Sequence, residues 1–233
     1  MARQDVSMTQ PHRPRRDSWT VSLHADETTE RALGSGVVID ETRVLTCHHV
    51  VARRESVWVA FPKAGVPRAL RVKVVSIRSA ADGTDVAVLD LEAAVPEQVT
   101  PAPLRCPDGP DLVDEPWWAF GFPEEVPLGL GSEAHGTVGA TLGYGWVRLD
   151  TESRYLVKKG FSGTGLWSSR YEAIVGLIGQ AKAGGERSGD ALALTLHQVD
   201  RELPGEKLAV LAAWSVAAAG ETALAAWGWS LET

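Results

Sequence analysis

Three short stretches of this sequence carry the side chains that acyl-transfer chemistry uses. Residues 46–50 read Thr46-Cys47-His48-His49-Val50 and close an apolar run that begins at Gly34. Residues 82–89 read Asp82-Gly83-Thr84-Asp85-Val86-Ala87-Val88-Leu89, with a carboxylate at the entrance to an apolar strand. Residues 159–165 read Lys159-Gly160-Phe161-Ser162-Gly163-Thr164-Gly165, a serine framed by glycines. A serine hydroxyl is a poor nucleophile near neutral pH and needs an adjacent imidazole to take its proton. A carboxylate on the far side of that imidazole fixes its tautomer and stabilises the imidazolium that forms. Glycines beside the serine let the backbone turn sharply and aim its N–H groups at one spot. There they stabilise the oxyanion of a tetrahedral intermediate, and losing one such donor costs about 2.7–4 kcal/mol.

At these residues the sequence resembles the trypsin-like (chymotrypsin-fold) serine proteases. The family's histidine motif is a Thr, two residues, His and then an apolar residue or Cys, and Thr46 sets the spacing that selects His49 over His48. Its acid opens a strand of the form Asp-apolar-Ala-apolar-Leu, matched from Asp85 to Leu89, and its nucleophile lies in Gly-x-Ser-Gly, matched from Gly160 to Gly163. The resemblance therefore implies a triad of His49, Asp85 and Ser162, with the backbone N–H groups of Gly160 and Ser162 as oxyanion donors. It also implies a specificity pocket based at Leu156 and walled by Gly179, Gln180 and Ala181, which carries no charge and offers no partner for Lys or Arg. The likeness spans residues 34–196. The order His, Asp, Ser is not that of an α/β-hydrolase, and Thr164 replaces the second glycine of that fold's Gly-x-Ser-x-Gly elbow. One departure stands out: Phe161 occupies the place where the family often carries an Asp that receives a freshly cut N-terminus. The expectation is an oxyanion site already formed in the uncut chain, or formed through contact with another domain or partner.

Competing candidates have plainer readings. Asp82 falls in an Asp-Gly turn and Asp90 within the strand, both expected to be solvated, and Ser168 and Ser169 lack a glycine frame. His24, His135 and His197 have no motif around them. Cys47 with two histidines hints at a metal, but no second cluster supplies further ligands, so neither metal nor cofactor is expected.

The elements that must position these groups are short strands. Runs rich in β-branched and aromatic residues fall at 19–24, 36–40, 57–61, 72–77 and 86–91, and again at 117–121, 137–141, 146–150, 173–178 and 191–196. A turn-rich connection, RCPDGPDLVDE, separates the two groups at 105–115. The runs suggest an all-β fold of paired barrels, about 18–105 and 116–203, following a loose leader at 1–17, and the resemblance implies that each is a six-stranded antiparallel barrel. Residues 204–233 form an Ala/Trp-rich tail, helical over 205–219, which packs on its own domain or meets a regulatory domain or partner.

Composition sets the outer bounds. The chain has 233 residues and a net charge of -7, whereas a nucleic-acid footprint needs a basic face, and the one basic cluster lies at residues 12–16. The leader has no apolar signal core, which places the protein in the cytoplasm. The apolar stretch at 208–231 is interrupted by Gly220 and Glu221, so it reads as a helix in water rather than a membrane span. The resemblance implies a protein or peptide substrate; the alternatives are a protease-fold module that senses or binds without cutting, and the protease domain of a larger regulated multidomain protein.

Overall fold

The computed structural model describes residues 13–14, 16–54, 56–66, 70–80, 84–124, 126, 130–154, 156–181 and 191–219. Its first six strands are β1 (Thr20–His24), β2 (Gly34–Val38), β3 (Arg43–Thr46), β4 (Trp58–Ala60), β5 (Arg71–Ser79) and β6 (Ala87–Leu91). They close into an antiparallel barrel in the order β1-β2-β3-β6-β5-β4. The second six are β7 (Pro116–Gly121), β8 (Ser132–Thr141), β9 (Trp146–Thr151), β10 (Gly165–Ser168), β11 (Ala173–Ala181) and β12 (Ala191–Thr195). They close as β10-β11-β12-β9-β8-β7, so the two barrels share one connectivity without any repeat in the sequence. The all-β, paired-barrel expectation is met.

Apolar residues drive the closure. Val37, Val38, Val44, Leu45 and the run from Val86 to Leu89 are all buried, so β3 and β6 are covered on both faces. Fully burying one Val or Leu side chain contributes roughly 1.5–3 kcal/mol. A second core, built on Leu112, Trp117, Val138, Leu149 and Phe161, fills the other barrel. Between the barrels Trp19 stacks on Trp167, ring centroids 5.8 Å apart, so two of the nine tryptophans tie the halves together.

The C-terminal segment begins with α2 (Leu196–Glu202), whose N-cap Thr195 accepts a hydrogen bond from the Gln198 N–H. This helix was not anticipated, because the strand run at 191–196 leads straight into it. A 3-10 turn at Pro204–Glu206 then leads to α3 (Leu208–Ala219), which starts three residues later than the sequence suggests. The α3 helix packs against α2. Leu208 and Ala212 join the first core, the Arg105 guanidinium donates to the Ala212 carbonyl, and Glu206 accepts from Arg43 of β3 and Arg78 of β5. Asp90 on β6, expected to be solvated, is partly exposed and also pairs with Arg78. Ser168, read as a loop residue, is buried in β10. Among the described residues no helix is long and apolar enough to cross a membrane. Cys47 and Cys106 are both free thiols. Residues 1–12, Asp82 and 220–233 lie outside the described residues.

Candidate active site

The histidine arm is built by β3 and the single turn α1 (His48–Val51). Val50 and Val51 are buried beneath this turn, which turns His48 and His49 outward. The two histidines then part company. His48 Nδ1 shares a 2.7 Å hydrogen bond with the Ser79 hydroxyl at the end of β5. His49 meets Asp85, which lies just before β6 and so beside the end of β3. One carboxylate oxygen accepts the His49 backbone N–H at 2.9 Å, and the other lies 2.6 Å from Nδ1. A carboxylate can only accept here, so the pairing places the ring proton on Nδ1 and leaves Nε2 as a base.

The serine arm is the turn between β9 and β10. Within it the Phe161 N–H donates to Lys158 and the Thr164 N–H to Phe161, closing two tight loops. Gly160 sits at φ +104° and Gly163 at φ +84°, a region that side chains rarely adopt. A Cβ on Gly160 would lie 2.3 Å from the Phe122 carbonyl oxygen, and one on Gly163 would lie 2.2 Å from the Ser35 carbonyl oxygen. Both positions therefore require glycine, and the second lets the serine turn press onto the strand ends that lead to His49. Phe161 is fully buried in the core of barrel two, against Gly121.

Within this turn the Ser162 hydroxyl donates to the Gly179 carbonyl at 3.3 Å. Among the described residues no hydrogen bond joins Ser162 to His49. The N–H groups of Gly160 and Ser162 likewise have no acceptor among those residues, whereas the Gly163 N–H is used by the Ile178 carbonyl at 2.8 Å. Gly179, Gln180 and Ala181 end β11, where the register with β12 shifts between Ile178 and Ala181. Such a bulge re-aims backbone groups out of the ladder. Leu156, the expected pocket base, is 38% exposed on the segment before the serine turn.

One donor cluster bears on metal binding. Cys47 Sγ, a His49 nitrogen and an Asp85 oxygen lie within 4.8 Å of one another. A metal takes the thiolate form of cysteine. Burial, and then the Asp85 charge, push the Cys47 thiol well above its usual range, and it donates to the Ile178 carbonyl at 3.3 Å. The cluster presents a neutral thiol and fits a metal poorly. His24, His135 and His197 stand apart from the site: buried His24, for example, is pushed down to about 4, by its burial and then by the Arg71 charge.

Comparison with known proteins sets this geometry in a family. The model of the trypsin-like peptidase domain matches residues 34–177, more than half of the chain. The chain belongs to the trypsin-like peptidase family. Among solved structures, this peptidase chain is similar to neuropsin, a serine protease expressed in the limbic system of mouse brain, with a TM-score of 0.64 and 15% identity over 84% of this chain and 97% of that one. It is also similar to the serine endoprotease from Yersinia pestis, with a TM-score of 0.61 and 20% identity over 85% of this chain and 64% of that one. At such identities the likeness concerns the paired-barrel fold. No curated protein matches the chain in sequence.

In the sequence Ser35 carries no candidate role, and Cys47 reads only as a possible metal ligand. The hydrogen bonds of the Ser35 hydroxyl and the Cys47 thiol go to residues more than 120 positions away. Only the glycines flanking Ser35, which mark a strand approached closely by other backbone, carry a local signal.

Proposed function

We propose that this protein is a serine endopeptidase working through an acyl-enzyme. Ser162 Oγ attacks the substrate carbonyl carbon while His49 Nε2 takes the hydroxyl proton, and Asp85 stabilises the imidazolium. The oxygen that gains the negative charge faces the N–H groups of Gly160 and Ser162. Collapse breaks the C–N bond as His49 returns the proton to the leaving amine. Water then repeats the sequence, its proton going to His49 and its oxygen to the acyl carbon, and frees Ser162. Neither metal nor cofactor takes part. The observation that carries the reading is the double grip of Asp85 on His49, set beside a glycine-framed serine whose N–H, like that of Gly160, has no acceptor among the described residues.

The substrate is a protein or peptide, and the aliphatic Leu156 with Gly179, Gln180 and Ala181 favours an uncharged residue before the cut. Nucleic acid and membrane have no part in this reading. The two free thiols suit a reducing, cytoplasmic setting. The outer face of α3, with Val210 at 49% and Trp214 at 73% exposure, suits a regulatory domain or partner meeting the tail.

One observation favours a second reading, a module that binds peptides without cutting: the Ser162 hydroxyl faces Gly179 rather than His49. A rotation about χ1 re-aims it, and catalytic hydrogen bonds are often loose before substrate binds. Incubation with a peptide library separates the readings. Wild-type protein is expected to cut after uncharged residues and Ser162→Ala to cut nothing. Binding without cleavage by both would favour the module.

A further inference from the structure

We infer that Ser35 is a positioning residue for the oxyanion-forming turn, holding it from the opposite barrel by two of its own hydrogen bonds. The inference rests on the peptidase reading above. Ser35 lies in β2 of barrel one and is fully buried. Its hydroxyl donates to the Gly160 carbonyl at 2.7 Å, and its backbone N–H donates to the Ser162 carbonyl at 2.9 Å. The Ser162 N–H lies in the chain between these two tied carbonyls, and the Gly160 N–H belongs to the residue that carries the first of them. One residue of barrel one thus ties the backbone beside both N–H groups, neither of which has an acceptor among the described residues.

The connection continues to the histidine arm. The Ser35 carbonyl accepts the Thr46 hydroxyl at 2.7 Å, and Thr46 is the last residue of β3, three before His49. Every polar group of Ser35 is used, and each partner belongs to one of the two arms of the site. From the other side the Phe122 N–H donates to the Gly160 carbonyl at 3.2 Å, so that carbonyl is pinned from both barrels. The second tie matters because Gly160 has no Cβ to restrict its backbone at φ +104°. Without the Ser35 hydroxyl the carbonyl keeps only the longer bond from Phe122, and the peptide, still tied through the Phe161 N–H to Lys158, is held less firmly. The nucleophile and the His49–Asp85 pair would stay in place.

The test compares wild type, Ser35→Ala and Ser35→Thr, in steady-state peptide hydrolysis and in the rate of labelling by a fluorophosphonate probe. For Ser35→Ala, kcat and the labelling rate should fall together by about 10- to 100-fold. KM should stay within about twofold and the pH profile of kcat should not move, because the base and its carboxylate are untouched. Ser35→Thr keeps the hydroxyl and should recover most of the loss. Wild-type rates in Ser35→Ala, equal losses in both variants, a shifted pH profile, or a Ser35→Ala protein that does not fold would each overturn the inference. Wild-type protein inert to both substrate and probe would instead overturn the peptidase reading on which it rests.

Discussion

Asp85 holds His49 at two atoms, the backbone N–H at 2.9 Å and ring Nδ1 at 2.6 Å, and the pair of contacts fixes both place and tautomer. Replacing the carboxylate with an amide keeps the shape but puts an N–H₂ donor or a weaker acceptor against Nδ1. The ring proton then moves to Nε2, and the base is lost. Asp85→Asn is therefore expected to lower kcat by roughly 10⁴ with little change in KM. Asp90→Asn serves as the control, since Asp90 is committed to Arg78. A comparable loss in Asp90→Asn, with Asp85→Asn active, would show that the wrong carboxylate carries the role. His49, Asp85 and Ser162 each sit in a local motif whose spacing can be read along the chain, and the pairing of His49 with Asp85 agrees with that reading. The contacts of Cys47 and Ser35 were not legible there, because they depend on how two barrels meet, and no window of sequence contains both partners.

Strands and helices here are joined by charge as well as by apolar packing. Glu206 is only 8% exposed, and its carboxylate accepts from Arg43 of β3 and from Arg78 of β5. The Arg78 hydrogen bond, and then that of Arg43, hold its carboxyl below the usual range. Truncating this acid leaves Arg43 and Arg78 without their shared acceptor and loosens the turn that delivers α3. Breaking a buried pair costs about 3–5 kcal/mol, and the half-exposed Arg78, which retains Asp90, lowers that to about 2–3 kcal/mol here. Glu206→Ala should accordingly unfold several degrees below wild type in a thermal melt. An unchanged Tm would show that packing alone seats the helix. The pairing was hidden in the sequence for a physical reason. Asp90 in a strand and Glu206 in a Pro-Gly turn both look solvated until strand closure brings two arginines to them. The opposite was true of the β-branched runs, whose burial follows from their own composition. The short β10 strand and α2 fell between these cases, one masked by the glycine-rich turn that leads into it and the other by the strand that feeds it.

At the scale of the whole molecule, barrel one supplies His49 and Asp85, barrel two supplies the serine turn, and neither barrel alone assembles the site. The stacked Trp19 and Trp167 and the ties from Ser35 hold the barrels in this relation. Phe161, buried in the second core, seats by packing the serine turn proposed to hold the oxyanion, where an acid would need an ammonium partner to be buried at tolerable cost. The site is therefore expected to work in the uncut chain, without a metal. The measurement that tests this most directly is labelling of the intact, untrimmed protein by a fluorophosphonate probe in the presence of a chelator, with the modified residue mapped by mass spectrometry. The account predicts one stoichiometric adduct on Ser162, absent from Ser162→Ala and from protein unfolded beforehand. An adduct on another residue, full labelling of Ser162→Ala, or labelling that requires zinc or a newly cut N-terminal amine would contradict it.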